Sequence, residues 1–95
     1  MFELNFLPLF KRKVKKLTRR DKKLASHFKT TLDLLAANPT DPKLRSHKVT
    51  HRGQAAFSSS VTGDLRIIWN YSDDEVNMLD VIDTGGHEGG KGVYR

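Results

Sequence analysis

At 95 residues, 37% hydrophobic and 29% charged, the chain has the size of a single domain, residues 1–95, with one core. It contains no cysteine, which excludes a disulfide framework, a thiolate nucleophile and a Cys-ligated metal. The net charge of +6 is uneven: residues 1–52 carry 14 Lys/Arg against 4 Asp/Glu, and residues 53–95 carry 3 against 7. That asymmetry predicts a polyanionic partner met by the first half of the chain, with nucleic acid and ribosome-like surfaces foremost. The longest uncharged stretch, residues 53–63, is half polar and far shorter than the roughly 18 apolar residues of a membrane span. The first apolar segment precedes the basic run, the reverse of a signal peptide, so the expected location is the cytoplasm.

In chain order, Phe2, Leu4 and Phe6 alternate with Glu3 and Asn5, the period of a short half-buried strand. Pro8 suits the first turn of a helix, and Leu7, Phe10, Val14 and Leu17 recur at helical spacing with lysines and arginines on the other faces. Thr18, with Asp21 three residues on, is the expected start of a second helix carried by Leu24, Phe28, Thr31, Leu32 and Leu35. Asn38 and Pro39 end it. Residues 39–54 show little periodicity and read as a connecting loop with some extended character. Three strands follow, at residues 55–61, 65–71 and 76–82, with Thr62, Gly63 and Asp64 joining the first two and Ser72, Asp73 and Asp74 the last two. Trp69 belongs to the core, within an apolar central strand. From Gly85 onward the glycine-rich tail reads as too flexible to be core. The expected fold class is α+β: two N-terminal helices packed on a mainly antiparallel sheet of about four strands.

Several constellations bear on chemistry. Residues 11–23 hold nine Lys/Arg in thirteen positions with few acidic partners at helical spacing, a face suited to phosphate or to an acidic protein. His47 and His51 stand four apart without an acidic third ligand, so no metal is expected; His27 falls on a helix surface. His87 stands among glycines at a strand end, where a side chain faces solvent and a neutral-pH proton transfer is within its range. With Asp64 and Arg66 at the start of the central strand and Tyr94 near the terminus, it makes a set suited to RNA backbone cleavage, with the ribose 2′-OH as internal nucleophile. From the residues alone, Asp64 serves equally as a turn residue, and Arg66 can pair with Asp80 or Asp83 across the sheet.

Residues 44–49 (LRSHKV), 60–69 (SVTGDLRIIW), 78–87 (MLDVIDTGGH) and the closing Val93-Tyr94 together resemble the RelE/YafQ family of bacterial toxins, the ribosome-dependent mRNA endonucleases of type II toxin-antitoxin modules. The resemblance spans nearly the whole chain and implies the RelE-like order β-α-α-β-β-β. It assigns catalytic positions to His47, Asp64, Arg66, His87 and Tyr94: aspartate and histidines for acid/base work, the arginine for the phosphate, and the terminal aromatic beside the scissile nucleotide. Ser60 stands where YafQ-like members carry another histidine, and Leu65 replaces an aromatic. The implied reaction is 2′-OH attack on the adjacent phosphate of mRNA in the 70S ribosomal A site, without metal or other cofactor. Lys11, Arg12, Lys13, Lys15, Lys16, Arg19, Arg20, Lys48 and Arg52 are the expected RNA and ribosome contacts. A cognate antitoxin is the implied protein partner, with a free monomer and a hetero-oligomeric complex. The same fold serves ParE-type gyrase inhibitors, so a non-nucleolytic binding module is the alternative.

Overall fold

The computed structural model describes residues 1–86, in the order β1 (Glu3–Phe6), α1 (Pro8–Thr18), α2 (Lys22–Ala37), a 3-10 turn (Pro42–Leu44), β2 (His47–His51), β3 (Gln54–Ser60), β4 (Leu65–Tyr71) and β5 (Met78–Gly86). His87, Tyr94 and the segment between them lie outside the described residues. One five-stranded sheet runs β1-β5-β4-β3-β2; β1 is parallel to β5 and every other pairing is antiparallel.

The α+β class and the two helices after the first strand are as expected, but the sheet has five strands, not four. The additional strand is β2, inside the stretch read as a loop. As an edge strand it pairs with β3 alone, so its side chains are mostly exposed and Val49 is its only aliphatic residue. A strand with so little to bury leaves almost no hydrophobic period. β5 also differs from expectation: it begins at Met78, after an exposed Val76, and runs through Gly85 and Gly86, which lie opposite Arg66 and Leu65. The helix boundary shifts as well. Thr18 closes α1, its hydroxyl donating to the Val14 carbonyl at 2.7 Å, and Asp21 caps α2 by accepting from the Leu24 amide at 3.0 Å.

One face of the sheet carries the main core. Ile67, Trp69, Leu79 and Val81 meet Phe10 of α1, Phe28 and Leu35 of α2, and Leu44. Trp69 is 1% exposed, as its apolar strand predicted, and its indole N–H donates to Ser59 Oγ at 2.7 Å. Each such aliphatic or aromatic side chain contributes about 1.5–3 kcal/mol of burial free energy.

The opposite face holds a smaller cluster, Ala56 and Ile68 with Val49 and Ile82. Ile68 lies opposite Asp83 and Trp69 opposite Val81, so Ile82 is the extra residue of a β-bulge. His51 of β2 touches Asp83 of β5 at 2.8 Å although two strands lie between them. Strands spaced about 4.8 Å apart would hold these backbones roughly 14 Å apart in a flat sheet, so the sheet curls and this face is concave. β1 reaches only as far as Val81; beyond it α1 lies against β5, turning Phe10 to the main core and Lys13 to Asp83.

Candidate active site on the concave face

Arg66 sits on the concave face of β4, one residue before Ile67 of the core, so strand alternation fixes its direction. Its Nε donates to Ser58 Oγ, and Nη2 donates to the Ser58 carbonyl at 2.9 Å and the Arg45 carbonyl at 2.8 Å. Arg45 adopts a left-handed φ of 50° at the end of the 3-10 turn. The alternative pairing of Arg66 with Asp80 or Asp83 is not what the structure shows. Asp80 accepts from Asn5 at 2.9 Å, and Asp83 is taken by other partners. All three acceptors on Arg66 are neutral, and Nη1 makes no hydrogen bond among the described residues. The result is a guanidinium with fixed orientation and, among the described residues, no acidic partner and one open nitrogen, suited to an anionic oxygen.

His47 is exposed at the start of β2, directly opposite Ser58, the residue that clamps Arg66. Asp64 is exposed in the β3–β4 turn, where Thr62 Oγ1 accepts from its amide at 3.2 Å and from the Leu65 amide at 3.1 Å. Asp64 thus is a turn residue, yet its carboxylate accepts no hydrogen bond among the described residues and is available to a ligand. Gly86 lies opposite Leu65, and a Cβ placed on it would come within 3.9 Å of the Asp64 carbonyl. The described end of β5 therefore stands beside Asp64. Ser60 donates to the Thr62 carbonyl at 2.9 Å and so serves the turn. Arg66, His47 and Asp64 share the end of the sheet formed by the 3-10 turn, the start of β2 and the β3–β4 turn. His87 and Tyr94 lie outside the described residues.

A second group on this face has no counterpart in the sequence reading. Asp83 is 1% exposed and His51 6%; Asp83 bonds His51 Nε2 at 2.8 Å, Lys13 Nζ at 2.9 Å and the Thr84 amide at 2.7 Å. Burial is the largest influence on Asp83 and acts to raise its pKa, but the hydrogen bonds from Lys13, His51 and Thr84, with the Lys13 charge, outweigh it and hold the carboxyl below its ordinary value. Asp83 is therefore ionised at neutral pH. No signal marks this group in advance, because its three members come from α1, β2 and β5. No group of three or more metal-ligating side chains occurs among the described residues.

Of the expected RNA contacts, Lys11, Arg12, Lys15 and Lys16 are exposed on α1 and Arg19 and Arg20 just after it; Lys48 is exposed on β2 and Arg52 in the β2–β3 turn. Lys13 differs, its ammonium being held by Asp83. No helix among the described residues is long and apolar enough to cross a membrane.

No family model matches the chain, and no curated protein does. Solved structures do. A YoeB/ParE toxin from Agrobacterium tumefaciens superposes with a TM-score of 0.75 at 14% identity, covering 92% of this chain and 100% of that one. YafQ from E. coli strain BL21(DE3) gives 0.69 at 20% identity over 90% and 93%, and an E. coli DinJ-YafQ toxin-antitoxin complex gives 0.68 at 19% over 90% and 92%. The chain therefore has the fold of the RelE/YafQ-type toxins, as its sequence motifs implied.

Proposed function

We propose that the chain is the toxin of a type II toxin-antitoxin module and an endoribonuclease that cuts mRNA in the ribosomal A site. The observation that carries this reading is Arg66, clamped by neutral acceptors and without an ion pair among the described residues, at the same end of the sheet as the exposed His47 and Asp64. RNA cleavage by an internal 2′-OH needs a base for that hydroxyl, an acid for the departing 5′ oxygen and a cation for the phosphate as charge builds on it. In this reading Arg66 receives the non-bridging phosphate oxygens, while Asp64, His47 and His87 move the protons. The 2′-oxygen bonds to phosphorus as the bond to the 5′ oxygen breaks, giving a 2′,3′-cyclic phosphate and a free 5′-OH. Tyr94 stacks beside the scissile nucleotide. The exposed cations of α1 hold ribosomal or messenger phosphates, and a cognate antitoxin, by analogy with the DinJ-YafQ complex, restrains the activity in the cytoplasm.

The test is mRNA cleavage in a purified translation system, with 5′ ends mapped by primer extension for wild type, Arg66→Ala, Asp64→Ala and His87→Ala. New ends that require ribosomes and disappear with Arg66→Ala and His87→Ala are expected. Translation or growth arrest without new ends would overturn the reading and move the target to gyrase or another protein, the non-nucleolytic alternative.

A further inference from the structure

The helix side of the sheet carries a recess that the proposed chemistry meets only at His47. It is a cleft of about 470 Å³ between the segment 39–42 and strands β2, β3 and β4, lined by Arg45, His47, Lys48, Phe57, Trp69 and Tyr71 among others. Strand register builds its floor: Lys48 lies opposite Phe57, and Phe57 opposite Trp69. The Phe57 and Trp69 rings stack at 4.8 Å, and Tyr71 stands edge-on to both, at 5.8 Å from Phe57 and 5.4 Å from Trp69. Tyr71 is 41% exposed, so one edge of the aromatic cluster is open to solvent. Arg45 and Lys48 make no ion pair among the described residues. Asp41, the acidic residue in the lining, has its carboxylate on the Lys43 amide at 2.8 Å.

An open aromatic edge beside two unpaired cations matches a nucleobase and its phosphate: stacking is tolerant of base identity, and the cations follow the backbone. The cleft also joins the concave face. His47 borders both, and the Arg45 carbonyl holds Arg66 at 2.8 Å. We propose that this cleft seats one nucleotide of single-stranded RNA next to the scissile bond, its base against Tyr71 and its phosphate on Lys48 and Arg45. The proposal rests on the reading of Arg66 as the phosphate-binding residue.

Trp69 is the sole tryptophan and forms part of the floor, so its fluorescence reports the cleft. The experiment titrates the full-length chain with an uncleavable 2′-O-methyl RNA hexamer. A saturable change in fluorescence is expected, with affinity reduced about tenfold or more in Tyr71→Ala and in the Arg45→Ala/Lys48→Ala double variant and retained in Tyr71→Phe. The double variant alters exposed positions and keeps the test open if Tyr71→Ala does not fold. A sugar-phosphate hexamer without bases should bind wild type and Tyr71→Ala equally. No fluorescence change with RNA, equal affinity within twofold in all variants, or saturation by a polyglutamate peptide in place of RNA would overturn the proposal. Tyr71-dependent binding by a chain that leaves mRNA uncut in the translation assay would retain the cleft and sink only the nuclease reading.

Discussion

The two faces of the sheet are built from the same five strands yet differ in what they bury. On the helix side, Ile67, Trp69, Leu79 and Val81 are at most 1% exposed and meet three buried residues from the helices. On the concave side the buried apolar set shrinks to Ala56 and Ile68, and the remaining positions hold Ser58, His51, Asp83 and Arg66. No buried side-chain nitrogen or oxygen among the described residues lacks a hydrogen-bond partner. Stability is thus concentrated on one face, which frees the other to hold charges at fixed positions. Substitutions should separate the two faces, first in folding and then in activity.

The largest loss of stability is expected from truncating the helix-side core. Leu35→Ala removes a fully buried side chain and should cost about 2–5 kcal/mol in chemical denaturation. An intermediate effect belongs to the polar group of the concave face. Asp83→Asn removes the charge shared by Lys13 and His51 and should cost about 1–3 kcal/mol at neutral pH. The pH dependence sharpens this. Because the folded-state pKa of Asp83 is lowered, its contribution is present above the unfolded carboxylate value of about 3.9 and is lost as pH falls through the lower folded value. Wild type should therefore lose denaturation midpoint in acid below about pH 4, and Asp83→Asn should lose less over the same window. The smallest effect is expected on neither face. The Lys29–Asp33 pair at 2.9 Å joins side chains 76% and 68% exposed, so Lys29→Ala should change stability by no more than about 0.5 kcal/mol.

The same contrast explains what could be read from sequence. The helix-side face repeats apolar residues at helical or strand spacing, so β1, both helices, β4 and the burial of Trp69 are legible. β2 is not, because an edge strand over a polar face has no apolar period to display, and the end of β5 is hidden by glycines that pair as backbone without side chains to show it. Arg66 and Asp64 are legible as a pair because they stand two residues apart at the start of the apolar central strand. The partners of Arg66 are not, since Ser58 and a backbone carbonyl of Arg45 leave no charge pattern and replace the acidic partner that cross-strand pairing suggests. Asp83 and His51 are 32 residues apart, and their contact follows from a curl that no local pattern encodes.

In the proposed reading the concave face carries the chemistry and the helix-side face the stability. The decisive measurement takes, on the same purified Arg66→Ala protein, both the urea midpoint and ribosome-dependent mRNA cleavage. Loss of one exposed hydrogen bond to Arg45 and two half-buried ones to Ser58 should cost about 1–3 kcal/mol, while cleavage should fall by about 10²–10³ with the loss of the cation at the phosphate. A variant that keeps cleaving at the wild-type rate, or one that loses cleavage only in proportion to the fraction unfolded, would contradict the account.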